Sequence, residues 1–140
     1  MPKFGKKSQE RLYSCHSDLI RLFEAVVVRF DCTILEGHRG KKKQNRYYNA
    51  GKSKVQWPDG KHNNYPSEAV DVAPYPIIWP HKDSKSFAKD LGRWYMFVGF
   101  VRAMAISMGI KIRTGADWDG DFSVNDQTFD DLPHFELKED

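Results

Sequence analysis

Cysteine is scarce in this sequence: 140 residues hold two, Cys15 and Cys32. That is too few for a disulfide framework and fits synthesis in a reducing cytoplasm. Long apolar runs are missing as well, and nothing approaches the ~20 residues that a membrane-spanning helix requires. The opening MPKFGKKSQE carries basic residues with no apolar stretch behind them, so no secretory signal is expected. Net charge is low, 22 Lys/Arg against 19 Asp/Glu for +3, too weak for a bulk nucleic-acid binder. Repeats, low-complexity linkers and composition breaks are absent too. What is present is 40% hydrophobic and 14% aromatic residues, enough for a real core. A chain of this length buries roughly two-thirds of its unfolded surface on folding, so no disulfide or structural metal is needed to hold it together. One domain spanning 1–140 is the expectation.

The layout of charge says more than its total. Arg39 to Lys61 contains eight Lys/Arg against Asp59 alone, and Asp117 to Asp140 contains nine Asp/Glu against Lys138 alone. The bland reading is two solvated faces that partly cancel in the fold. The functional one is a basic rim for an anionic ligand and an acidic segment that holds cations.

Residues 17–30, SDLIRLFEAVVVRF, predict a helix. Ser17 is placed to cap it, Asp18 lies beside its positive end, and Leu19, Leu22, Phe23, Val26 and Val27 share one face. A short strand over Cys32–Leu35 follows, then the turn Gly37-His38-Arg39-Gly40. Lys41–Asn49 reads as a polar surface helix, and 51–68 as a loop broken by Gly51, Pro58, Gly60 and Pro66. Ala69–Ala73, AVDVA, is a strand ahead of a proline-rich bend (Pro74, Pro76, Pro80). The strongest helix spans 84–108, from Ser84 as cap to Gly109 as terminator. Its apolar residues, Phe87, Leu91, Trp94, Val98, Val101, Ala105 and Met108, recur every three or four positions, and Tyr95, Phe97 and Phe100 widen the stripe, which reads as core. Strands at Ile110–Arg113 and near His134–Leu137 complete an α+β domain, a small, mostly antiparallel sheet flanked by helices.

Chemistry-bearing residues gather in three segments: HNNYPSEAVDVAP with His62 and Asp71, DDLPHFEL with Asp131 and His134, and EGHRG with Arg39. A catalytic zinc takes three protein ligands, typically imidazoles with a carboxylate, and keeps one position open. His62, Asp71 and His134 supply such a set. Val70 and Val72 point one way on a strand and Asp71 the other, toward a cleft. A lone carboxylate there is costly unless paired; a buried hydrogen bond to a loop is the alternative. Asp131 stands three residues before His134, with Pro133 disfavouring a helix between them. A second carboxylate so placed can move a proton between water and a leaving amine. His81 reads as surface and His38 as a turn or rim residue. Spacing alone leaves metal binding open.

Together, the His…Asp segment ending in Ala-Val-Asp-Val, the Gly-x-Arg turn and the terminal Asp-x-x-His-Phe resemble the zinc peptidases that cleave D-alanyl-D-alanine or L-alanyl-D-glutamate bonds. The chain is more closely similar to the compact bacteriophage endolysins of the L-alanyl-D-glutamate type. The resemblance runs through the early helix, EGHRG, SEAVDVAPYP, the long aromatic helix, GADWDGD and DDLPHFEL. It implies a single-domain zinc peptidase fold with His62, Asp71 and His134 as zinc ligands and Asp131 as general acid/base. Arg39 would polarise the scissile carbonyl or hold the substrate. Three departures stand out. Gly60 replaces a serine, the His62–Asp71 interval is two residues longer than the commonest spacing, and Asp131 stands where many relatives use glutamate.

The implied reaction is metal-assisted hydrolysis of peptidoglycan stem peptides, whose carboxylates the Arg39–Lys61 run would steer. Trp57, Trp118 and Tyr75 are candidates for apolar walls. The resemblance also implies synthesis in the host cytoplasm, with access to the wall, and lysis, once another protein opens the membrane. A monomer is expected, with neither nucleic acid nor membrane as partner. Rival readings are a D-alanyl-D-alanine carboxypeptidase of the same family, a non-catalytic wall-binding module, and a nucleic-acid binder stacking bases on Tyr47, Tyr48 and Trp57.

A further cation is suggested by GADWDGDFSVNDQTFDD, where Asp117, Asp119 and Asp121 alternate. Asp119, Asp121, Ser123 and Asn125 fall at alternate positions with Asp130 eleven beyond Asp119, a spacing that oxygen-rich calcium loops use. Val124 occupies the position where an EF-hand needs glycine. Calcium as a regulator and a solvated acidic turn are both open.

Overall fold

The computed structural model describes residues 1–139. Among them run α1 (Lys6–Tyr13), α2 (Ser17–Val27), β1 (Cys32–Glu36), α3 (Lys41–Asn49), a 3-10 turn (Lys61–Asn63), β2 (Ala69–Pro74), α4 (Phe87–Ser107), β3 (Ile112–Thr114) and β4 (His134–Leu137). The strands form one sheet in the order β1-β2-β4-β3, with every neighbouring pair antiparallel. This is the α+β architecture that the pattern of elements predicts. No helix among the described residues is long and apolar enough to cross a membrane.

Strand alternation sorts the sheet into a dry face and a chemical face. Ile34, Val70, Val72 and Phe135 are fully buried in one cluster with Leu19, Phe23 and Val26 of α2 and Phe97 and Val101 of α4. The Phe135 ring meets Phe23 edge-on at 5.3 Å and Phe97 at 6.1 Å. Burying a side chain of this size contributes about 1.5–3 kcal/mol, so Phe135 anchors β4 firmly. Its neighbours His134 and Glu136 consequently point to the other face. On β1 a bulge at Leu35 breaks the register, so that Ile34 pairs with Val72 but Glu36 with Asp71. Without that extra residue Glu36 would share the core face with Ile34; the bulge turns it toward Asp71.

Several boundaries differ from the sequence expectation. Helix α1 is not predicted by apolar spacing, because its one buried apolar residue is Leu12. Polar bonds dock it on the edge strand instead: the Ile34 N–H donates to Ser8 Oγ at 3.1 Å and Arg11 Nη1 donates to the Ile34 carbonyl at 3.0 Å. Such cover shields an otherwise open sheet edge. The cap of α2 is His16, whose Nδ1 accepts from the Asp18 N–H at 3.0 Å, so Ser17 lies inside the helix. That helix stops at Val27, short of Phe30. Helix α4 starts at Phe87, and Ser84 instead accepts from the Ser86 N–H in the preceding turn. Gly109 has φ 71 as a left-handed terminator should. Strand β3 begins at Ile112 rather than Ile110, which is buried ahead of it.

Candidate metal centre

The β2–β4 register sets Asp71 directly opposite His134, and the 3-10 turn brings in His62. Asp71 Oδ1 lies 3.2 Å from His62 Nε2 and 3.3 Å from His134 Nδ1. One ligand atom from each of the three residues lies within 4.8 Å of the others. The structure thus brings together three residues spread over more than seventy positions of chain.

Both imidazoles are oriented from behind. His62 Nδ1 is 2.8 Å from the Gly37 carbonyl, which can only accept, so Nδ1 carries the hydrogen and Nε2 presents a lone pair. His134 Nε2 is 2.8 Å from Glu136 Oε1, so once the ring is neutral its hydrogen stays on Nε2 and Nδ1 presents a lone pair. Gly37 has to be glycine, since an added Cβ would overlap the Arg11 carbonyl and Ser14 Oγ. Glu136 is itself clamped by Arg113 at 3.0 Å and Lys61 at 3.4 Å. Burial pushes the Glu136 carboxyl up, but His134, Arg113 and Lys61 outweigh it and bring it down to about 2. Burial likewise opposes ionisation of Asp71, yet His62 and His134 hold it well below the usual carboxylate range. Burial lowers His134, but bonds to Asp71 and Glu136 win and it is pushed up to about 9. Two imidazoles anchored from behind and a carboxylate converging on one point make a donor set that could hold a metal ion. The residues fit a divalent ion of the kind that imidazole and carboxylate ligands hold.

Asp131 borders this group, its Oδ2 4.0 Å from His134 Nδ1. Burial and the nearby Asp71 charge push its carboxyl up, against the pull of His134, His62 and Arg39. Arg39 is buried. Its Nε and Nη2 donate to Glu36 at 2.9 and 3.1 Å, and its Nη1 to Gln44 Oε1 at 3.0 Å. Asp71 Oδ2 is 3.6 Å from Nη2, and the Tyr47 ring lies 4.6 Å below the guanidinium. Asn63 braces this assembly by donating to the Arg39 carbonyl and to Gln44 Oε1, each at 3.1 Å. The departure at Gly60 follows from it. The Gly60 N–H donates to Asn63 Oδ1 at 2.9 Å, and a Cβ on Gly60 would also sit 2.9 Å from that oxygen.

His62, Asp71, His134, Asp131 and Arg39 line a cleft of about 450 Å³. Trp118, 5.3 Å from the His134 ring, forms one wall with Phe129 stacked on it at 6.4 Å. Trp57 and Tyr75 are not among the lining residues. Tyr75 is exposed on a bend whose carbonyls Arg93 holds, so the expectation of apolar walls holds for Trp118 alone. Glu136 is the residue that sequence reasoning left without a role. Its signal was there: two positions after His134 on a strand, it had to share that residue's face.

Asp117, Asp119 and Asp121 also bring carboxylate oxygens within 4.8 Å of one another. Asp117 is buried; its Oδ2 accepts from Arg102 and from the Phe122 N–H, each at 2.8 Å, while Oδ1 has no partner among the described residues. Asp130 is not part of this group and accepts from Gln127 instead.

Comparison with known proteins points one way. A sequence profile of phage L-alanyl-D-glutamate peptidases matches residues 1–138. The L-alanyl-D-glutamate peptidase of Escherichia phage T5 is 28% identical over 130 residues, covering 89% of this chain and 88% of the relative. Among solved structures, an L-Ala D-Glu endopeptidase of Serratia marcescens superposes with a TM-score of 0.71 at 25% identity, covering 96% of this chain and 89% of that one.

Proposed function

The chain belongs to the phage L-alanyl-D-glutamate peptidase family, and from that premise we propose that it works as a zinc enzyme on peptidoglycan stem peptides, with residues 1–140 acting as one catalytic domain. His62, Asp71 and His134 are the proposed ligands. The observation that carries this reading is the pair of imidazole nitrogens facing one Asp71 oxygen, each with its opposite ring nitrogen already anchored.

Bound there, zinc supplies Lewis acidity and lowers the pKa of a water molecule to about 7. Asp131 is the proposed proton carrier, accepting from the attacking water and passing the proton to the departing D-glutamate nitrogen. A carboxyl raised by burial suits both halves of that task better than an ordinary one. Arg39 has five N–H groups, of which three donate to Glu36 and Gln44. The remaining two are the proposed donors to the oxygen on which charge develops, a role worth about 3 kcal/mol per donor in other enzymes. Glu36 and Tyr47 fix the guanidinium in place beforehand, which removes its reorganisation from the reaction. In the lytic cycle the protein would act on the wall after another protein has opened the membrane.

Mass spectrometry of fragments from digested, purified peptidoglycan tests the bond. The expected products end in L-alanine and begin with D-glutamate. Release of D-alanine alone would replace this reading with a carboxypeptidase, and absence of new amino groups with a wall-binding module. Metal analysis of the purified protein should return one zinc per chain.

We further propose that Asp117, Asp119 and Asp121 bind calcium as a regulatory ion, a reading favoured by the unpartnered buried oxygen of Asp117. Titration calorimetry with millimolar calcium should show one site, lost in Asp117→Asn; a flat titration removes the proposal.

A further inference from the structure

We propose that Lys52 and Lys54 form a carboxylate-binding subsite in the cleft that the metal ligands also line. It would receive a free carboxylate of the stem peptide beyond the D-glutamate residue. Resting on the peptidase reading for its substrate, this subsite adds a determinant of which stem peptides are bound best.

Five cationic side chains line the cleft: Arg39, Lys52, Lys54, Lys61 and Arg113. Three are paired with carboxylates within the protein, Arg39 with Glu36 and Asp71, while Lys61 and Arg113 share Glu136. The other two are held differently. Lys54 Nζ lies 4.9 Å over the Phe129 ring and Lys52 Nζ 5.7 Å over the Tyr47 ring. Among the described residues neither has a carboxylate at ion-pair distance, Asp59 of the same lining included. An aromatic face steadies an ammonium group without cancelling its charge. Both side chains are exposed, so each ammonium group is open to an anionic group entering the cleft.

The position of Lys54 relative to the chemistry follows from the ring wall. His134 touches Trp118 at 5.3 Å, Trp118 stacks on Phe129 at 6.4 Å with the planes 11° apart, and Phe129 carries Lys54. At about 3.3–3.6 Å per extended residue, a substrate following this wall reaches Lys54 within about five residues. The carboxylate of the glutamate itself lies one residue from the scissile carbonyl, beside the metal ligands and Arg39. With that carboxylate assigned to Arg39 and the metal ligands, the one proposed for the lysines is that of a later residue. Chemistry fixes the direction: on the L-alanine side the stem joins a neutral amide to the sugar, whereas free carboxylates occur on the D-glutamate side. The rings would pack against the intervening peptide, and the lysines would pair with its terminal charge.

The test uses zinc-loaded protein and the peptide L-Ala-γ-D-Glu-L-Lys-D-Ala, as the free acid and as the C-terminal amide. Wild type is expected to favour the acid about fivefold in kcat/KM, chiefly through KM, as suits exposed charge pairs. In K52Q/K54Q that ratio should fall to about one, and K52R/K54R should restore it. A wild-type ratio near one, or a ratio that survives in K52Q/K54Q, overturns the subsite. Failure of wild type to cleave either peptide removes the peptidase reading and the subsite with it, whereas equal cleavage removes the subsite alone. Calorimetry of the product γ-D-Glu-L-Lys-D-Ala, acid against amide, on wild type decides the matter should K52Q/K54Q not fold. Tighter binding of the acid is expected, and equal binding is the overturning result.

Discussion

Gly115 and Asp131 are locked backbone to backbone. The Asp131 N–H donates to the Gly115 carbonyl at 2.9 Å, and the Gly115 N–H donates to the His134 carbonyl at the same distance. A Cβ on Gly115 would overlap the Asp131 carbonyl and lie 2.7 Å from Asp131 Cβ. The glycine thus sets where the proposed proton carrier stands relative to β4. Gly115→Ala is expected to push the 131–134 turn outward at a cost of about 2 kcal/mol of stability, and to lower kcat at least tenfold while zinc stays bound. Thermal melting, metal analysis and steady-state kinetics check the three parts. Unchanged kcat would show that the position of Asp131 is not set here.

Asp131→Asn keeps the size and most contacts of the side chain but removes its capacity to accept a proton. A general acid/base typically contributes about 10²–10⁴-fold in rate, and if Asp131 has the proposed role the variant should lose activity on that scale. Zinc content and melting temperature should stay close to wild type, because Asp131 is outside the ligand group. Loss of zinc together with activity would instead make Asp131 a ligand.

Glu136 would act on the proposed metal site through His134, to which it is bonded at 2.8 Å. Removing an outer-shell partner of a ligating histidine typically costs 10–100-fold in metal affinity. In Glu136→Ala, His134 also loses the acceptor that fixes its tautomer, while Lys61 and Arg113 lose their counter-charge. Zinc affinity measured by chelator competition should fall by about that factor, and Glu136→Gln should recover part of it by still accepting a hydrogen bond. An unchanged affinity in Glu136→Ala would leave Glu136 a charge-balancing residue only.

How much of this was legible in the sequence depends on the range of the forces involved. AVDVA declared both its strand and its odd carboxylate, because Val70 and Val72 share a face that Asp71 cannot. Helix α4 and its Gly109 stop were readable from spacing for the same local reason. Helix α1 was not, since it docks through Ser8 and Arg11 to the Ile34 backbone rather than through an apolar stripe. The His16 cap was hidden behind Ser17, a residue type with a stronger prior for that position. Within the site, the meeting of His62, Asp71 and His134 was anticipated through resemblance, whereas spacing alone left it open. The anchor Gly37 comes from a close helix contact that local sequence does not express, whereas Glu136 was legible as sharing the face of His134 on one strand, though its pairing with Lys61 and Arg113 was not. Trp57 and Tyr75 failed as walls because an aromatic residue in a loop carries no signal of which way it faces.

Zinc uptake should release protons and strengthen with pH. Without metal, His134 is pushed up to about 9 by Asp71 and Glu136 despite its burial, so at neutral pH Nδ1 carries a hydrogen. A ligating histidine has to be neutral, and binding therefore displaces that proton. The sign is fixed by the direction of the shift: apparent affinity should climb as pH rises through neutrality and level off near 9, where His134 is already deprotonated. The metal-free fold carries the opposite dependence. A histidine whose folded value exceeds the ordinary 6.5 adds stability that is fully present below that value and disappears as pH rises toward 9. Zinc should accordingly raise the melting temperature more at pH 9 than at pH 6. Calorimetry in buffers of differing ionisation enthalpy counts the released protons, and zero release at pH 7 would mean that His134 is neutral before the metal arrives.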